Sequence, residues 1–117
     1  MLIANWKSNG SRAMAIDWFN NFFEKYSLKN DETFLGVAPP SIYIEQINNL
    51  KKPNINIGLQ DIEPFSGPRT GSISSDMAID LGCNFSIIGH SERRELYKEN
   101  NDQIKEKIIN LDKKIMP

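Results

Sequence analysis

With 117 residues, 39% of them hydrophobic and 25% charged, the chain is long enough for one globular domain, short for two, and too apolar to be disordered. A net charge of −1 removes the electrostatic footprint expected of a nucleic-acid or anionic-membrane binder, and no run approaches the roughly 18 apolar residues of a membrane span. One cysteine, Cys83, rules out an internal disulfide, and with a single histidine it leaves too few ligands for a structural zinc site.

The first residues, Met1-Leu2-Ile3-Ala4-Asn5, lack the basic region and long apolar core of a secretory signal, so a cytoplasmic protein is expected. Residues 2–4 form a short apolar strand, closed by the polar, turn-rich Asn5-Trp6-Lys7-Ser8-Asn9-Gly10. Ile16, Phe19, Phe22, Phe23 and Tyr26 then recur at helical spacing and predict a helix with one apolar face. Residues 34–38 read as a second, buried strand, stopped by Pro39-Pro40. Ser41 is the expected N-cap of a helix carrying Tyr43, Ile47 and Leu50 on one side. Residues 55–60 make a third strand, followed by a polar loop over 61–74 and a short helix over 75–81 that ends at Gly82. Residues 85–89 are a fourth strand, and Ile104, Ile108 and Leu111 mark the apolar face of the helix behind it. Lys114-Ile115-Met116-Pro117 resembles the opening of a fifth strand.

Strands that alternate with helices form a parallel sheet with right-handed crossovers, and short strands apolar on both faces are buried in such sheets. Strand starts about 20 to 30 residues apart suit either a (β/α)8 barrel or an open doubly wound sheet. No Gly-x-Gly-x-x-Gly follows the first strand, which disfavours a dinucleotide-binding sheet. Polar residues cluster just after the strands instead: Asn5 and Lys7, Gln60 and Asp61, His90 and Glu92. In a barrel all three sets face the carboxyl-terminal rim, where the active sites of this fold lie.

Each of these residues has an ordinary reading. Lys7 alone is a surface lysine, Asn5 a turn residue satisfying its own backbone, and Glu92 a carboxylate complementing a helix start. Together they make a reactive set: an ammonium to attract an anion, an imidazole (His90) to polarise a carbonyl, and a carboxylate to hold the ammonium.

Four segments carry a resemblance: Ala4-Asn5-Trp6-Lys7-Ser8-Asn9-Gly10, Val37-Ala38-Pro39-Pro40, Thr70-Gly71-Ser72-Ile73-Ser74 and Ile88-Gly89-His90-Ser91-Glu92-Arg93-Arg94. In order and spacing the chain resembles the triosephosphate isomerase family over its whole length. The resemblance implies a (β/α)8 TIM barrel, of which residues 1–117 would be the N-terminal half of a single domain: the first four βα units plus the start of strand five. It also implies that Lys7 is the active-site lysine, with Asn5 beside it on the substrate. His90 would be the electrophile, acting as a neutral imidazole at a helix start, as is already known for this family's histidine. Ser91 would open that helix and Glu92 would pair with Lys7. Thr70 would reach into a neighbouring subunit from the long third loop, implying a homodimer when the protein is complete, whereas Arg93 and Glu99 would belong to a structural polar network. The implied substrate is a triose phosphate, with no metal or organic cofactor, no nucleic acid and no membrane. Two residues depart from the family's habit: Ser72 stands where glutamate is usual, putting a subunit-bridging ion pair in question, and Asp61 stands where asparagine is common.

The family's proton-abstracting glutamate ends strand six, its lid follows that strand, and its phosphate-binding loops follow strands seven and eight. A barrel of about 250 residues is needed to hold them all. Glu95, Glu99 and Glu106 are poor substitutes for the base, so the 117 residues alone are expected to be inactive. The alternative from another class is a non-catalytic half-barrel that serves as an assembly module. Another phosphate-binding barrel enzyme is a weaker reading, because it leaves Lys7, Thr70 and the His90 run unexplained together.

Overall fold

The computed structural model describes residues 1–26, 33–65 and 67–117. Four parallel strands, β1 (Leu2–Asn5), β2 (Leu35–Ala38), β3 (Ile55–Leu59) and β4 (Phe85–Ser86), lie side by side in chain order. Helices alternate with them: α1 (Arg12–Lys25), α2 (Ile44–Leu50), α3 (Ser75–Asp80), then α4 (Ser91–Leu96) and α5 (Asn101–Asn110) after β4. Met116 bridges to Phe85 in parallel, and the Ser86 N–H donates to the Met116 carbonyl (2.8 Å), so a further strand begins beside β4. No helix among the described residues is long and apolar enough to cross a membrane.

Strand alternation divides the side chains between two faces. Val37, Ile55, Ile57 and Leu59 point toward the helices, where they join Ala15, Phe19, Ile44, Ile47 and Ala78 in the core. The opposite face carries Gly36 and Gly58, and their missing side chains leave a notch for the Phe85 ring. A Cβ built on Gly58 would lie 2.5 Å from that ring, and one on Gly36 2.9 Å from it. Phe34 packs edge-on against the same ring.

Several expectations are corrected. Ser41 is no N-cap: it opens a 3₁₀ turn (Ser41–Tyr43), no side-chain hydrogen bond caps α2, and Pro40 fixes the entry instead. The buried face of α1 is Ala15 and Phe19, flanked by Met14, Trp18, Phe22 and Phe23, while Ile16 and Tyr26 are exposed. Ladder pairing in β4 stops at Ser86, although the Ile87 N–H still reaches the Leu59 carbonyl (2.9 Å). The segment behind β4 is two helices. Lys98, at φ +58°, stops the first, and Asn100 starts the second through a capping box with Gln103. Ile108 is 50% exposed, whereas Lys107, one residue earlier, is buried. Gly82 does take the left-handed C-terminal position after α3 (φ +71°).

The Phe85 notch predicts an order of costs. Gly58→Ala overpacks the inner face and should lower stability by about 1–3 kcal/mol in urea unfolding, with Gly36→Ala costing less.

Candidate active site

The turn after β1 is fixed before any ligand arrives. Trp6 is buried, packed edge-on against Trp18 of α1 (5.6 Å between ring centres), and its backbone N–H donates to the Ala38 carbonyl (3.0 Å). Lys7 follows with φ +53°, in the left-handed region that non-glycine residues seldom occupy. Its N–H donates to Asn5 Oδ1 (2.9 Å), the local turn bond expected of an asparagine two residues earlier. Its carbonyl accepts from Gln60 Nε2 (2.7 Å). Its ammonium reaches Glu92 Oε1 at 2.6 Å, joining the loop after β1 to the loop after β4. That hydrogen bond from Lys7, reinforced by the lysine charge, holds the Glu92 carboxyl below its ordinary range.

His90 is the N-cap of α4, and Ser91 is the helix's first residue, exposed to solvent. The Glu92 N–H donates to His90 Nδ1 (3.2 Å). That nitrogen therefore carries no proton, and the neutral ring presents Nε2–H as its donor. Glu92 Oε2 lies 3.6 Å from the same Nδ1, but the backbone bond leaves no hydrogen there for an ion pair. One glutamate thus orients both residues, the lysine through its carboxylate and the histidine through its N–H.

Beside this group lies a cleft of about 790 Å³ between the β3–α3 loop and α5, with Lys7 and Gln60 at its edge and His90 outside it. Four of the charged residues that line it form a cluster. Lys107 hydrogen-bonds to both Asp61 and Glu99, and Arg93 lies 2.9 Å from Asp61 and 3.7 Å from Glu99. Lys107 and Glu99 are each only 7% exposed. Two cations and two anions balance, which is the condition for keeping such groups out of water. Thr70 stands apart, exposed in the β3–α3 loop, and Ser66 of that loop lies outside the described residues.

The triosephosphate isomerase family profile matches residues 1–116. The chain belongs to the triosephosphate isomerase family. Curated triosephosphate isomerases from Shewanella sp. strain ANA-3, Shewanella oneidensis and Shewanella amazonensis are each 39% identical to it over 116 residues. Those alignments cover 92% of this chain and 44% of each relative, so the chain spans less than half the length of the isomerases it matches. A four-stranded parallel sheet alternating with helices is the opening of a TIM barrel.

Both departures from the family's habit have local partners. Ser72 Oγ donates to Glu63 Oε2 (3.1 Å) within its own loop, and Asp61 supplies the second anion of the buried cluster. Sequence reasoning missed two residues. Gln60 was visible as a polar residue at a strand end, but which carbonyls it serves was not. Lys107 lies beside the apolar stripe of Ile104, Ile108 and Leu111, and nothing in its local sequence marks it as buried.

Lys107→Met would leave buried Glu99 with only the more distant Arg93 opposite it (3.7 Å), and should destabilise the protein by about 3–5 kcal/mol in chemical denaturation, with Glu99→Gln in the same chain recovering part of the loss. For Glu92, carboxyl ¹³C titration should give a value below the ordinary carboxylate range, and Lys7→Met should raise it. Because the folded-state value is the depressed one, the pair's contribution is present above the ordinary range and disappears as pH falls through the depressed value.

Proposed function

We propose that residues 1–117 are the N-terminal half of a triosephosphate isomerase barrel. In this reading they supply the electrophilic side of a site that interconverts dihydroxyacetone phosphate and D-glyceraldehyde 3-phosphate through an enediolate. The observation that carries the reading is the convergence of Lys7, Glu92 and His90 after β1 and β4, with His90 Nε2–H free of its helix. Nε2–H donates to the substrate carbonyl oxygen and stabilises the negative charge that develops there when the adjacent carbon loses its proton. His90 gives its Nε2 proton to the carbonyl oxygen and takes one from the neighbouring hydroxyl, and the base returns the abstracted proton to the former carbonyl carbon, so the carbonyl moves to the adjacent carbon. The Lys7 ammonium offsets the charge of the phosphate and of the enediolate, and Asn5 borders the substrate beside it. No metal or organic cofactor enters these steps.

The base that takes the carbon-bound proton comes from outside these residues. Glu92 is committed to Lys7, Glu99 to Lys107 and Arg93, and Asp61 to the same pair. The family's strand-six glutamate fills that role in this reading. The complete protein pairs as a homodimer through the exposed Thr70 loop, and works in glycolysis and gluconeogenesis in the cytoplasm, in line with its single buried cysteine.

Purified residues 1–117 should give no turnover of glyceraldehyde 3-phosphate above background. Fused to the part of the Shewanella oneidensis enzyme that follows the matched region, they should turn over. In that fusion His90→Ala and Lys7→Met should each lower kcat/KM by about 10²–10⁴-fold. Turnover by the chain alone would refute the assignment of the base. A folded fusion with no activity would favour a non-catalytic assembly module.

A further inference from the structure

The hydrogen bonds around Lys7 lead one step further than its pairing with Glu92. A lysine at φ +53° sits in a conformation that crowds its Cβ against its own carbonyl, and an unsupported chain would relax to negative φ. Since φ sets the direction of the Cα–Cβ bond, relaxation would swing the ammonium away from Glu92. Two peptide planes flank the Lys7 Cα, and each is held by a side chain. Asn5 Oδ1 accepts from the N–H on one side (2.9 Å), and Gln60 Nε2 donates to the carbonyl on the other (2.7 Å).

Gln60 is built to be a donor in this place. Its second N–H goes to the Ala38 carbonyl at the end of β2 (2.9 Å), which also receives the Trp6 N–H (3.0 Å). Both neighbours of its nitrogen are therefore carbonyl oxygens, so the carboxamide cannot be turned round, and an ionised glutamate would offer no donor at all. From the end of β3 the side chain ties the ends of β1 and β2 into one rim.

We propose that Gln60 is a positioning residue for Lys7, its carboxamide clamping the Lys7 peptide in the left-handed turn from which the ammonium is aimed. The consequence for catalysis rests on the function proposed above; the clamp itself does not.

The test uses the 117-residue chain and NMR. In the unaltered protein the Gln60 side-chain N–H pair should exchange with solvent at least about tenfold more slowly than in free glutamine, a reading that requires no variant. Gln60→Met, similar in size but without a donor, should raise the Glu92 carboxyl pKa by at least half as much as Lys7→Met does. In a Lys7→Met background the same substitution should move it no further, which a general loosening of the fold would not reproduce. Unprotected Gln60 hydrogens, an unmoved Glu92 titration, or equal shifts in both backgrounds would each overturn the proposal. In the isomerase fusion Gln60→Met should lower kcat/KM at least about tenfold, and an active fusion indifferent to it would also overturn the clamp. Because the titration needs no turnover, an inactive fusion counts against the proposed function and not against Gln60.

Discussion

Parallel pairing in near-even register is the constraint from which the site follows. Leu2 stands opposite Leu35, Leu35 opposite Ile55, and Gly58 opposite Phe85, so the strands finish at one level and every loop that follows them opens on the same rim. Residues far apart in the chain can then meet through side chains alone. Gln60 reaches two neighbouring strand ends, and Lys7 reaches Glu92 across 85 positions of sequence. The strands themselves do no chemistry. They hold three loops still enough for short polar side chains to find one another.

Under the rim, packing keeps that register. Core residues of β2 and β3 face the helices, while the inner face trades two side chains for one aromatic ring at Gly36, Gly58 and Phe85. A slip of one residue would turn the glycines toward the helices and drive Val37 or Ile57 into the ring. Ile104 of α5 packs as closely against Gly89, immediately before His90, where a Cβ would lie 2.9 Å from its Cδ1. The histidine's backbone is thus braced from beneath by a helix that follows it in sequence.

Much of this was legible in the residues, because strands, proline stops and the Gly82 helix end are written in local chemistry. That Asn5, Lys7, His90 and Glu92 lie at one rim was legible too, since all of them follow apolar runs, and hydrogen bonds join Asn5 to Lys7, Lys7 to Glu92 and Glu92 to His90. What local pattern misrepresented was α5. The spacing of Ile104, Ile108 and Leu111 promised a simple apolar face, yet the buried residue between them is Lys107, whose partners lie 8 and 46 positions away. A buried charge is intelligible only with its counter-charge, and periodicity carries no information on pairs so distant. The break before α5 was readable: Asn100 and Gln103 have the spacing of a capping box, which outweighed the continuous helix that the apolar residues suggested. Ser41 misled for the opposite reason, its cap role displaced by a proline that already set the backbone.

The Lys7–Glu92 contact also spans two strands. Adjacent strands lie about 4.8 Å apart, so the ends of β1 and β4 would be separated by roughly 14 Å on a flat sheet. Two long side chains pointed at each other bridge that interval and close on a 2.6 Å contact. The ion pair therefore ties β1 to β4 over the ends of β2 and β3: sliding either strand along its neighbour would lengthen the pair before any ladder bond broke.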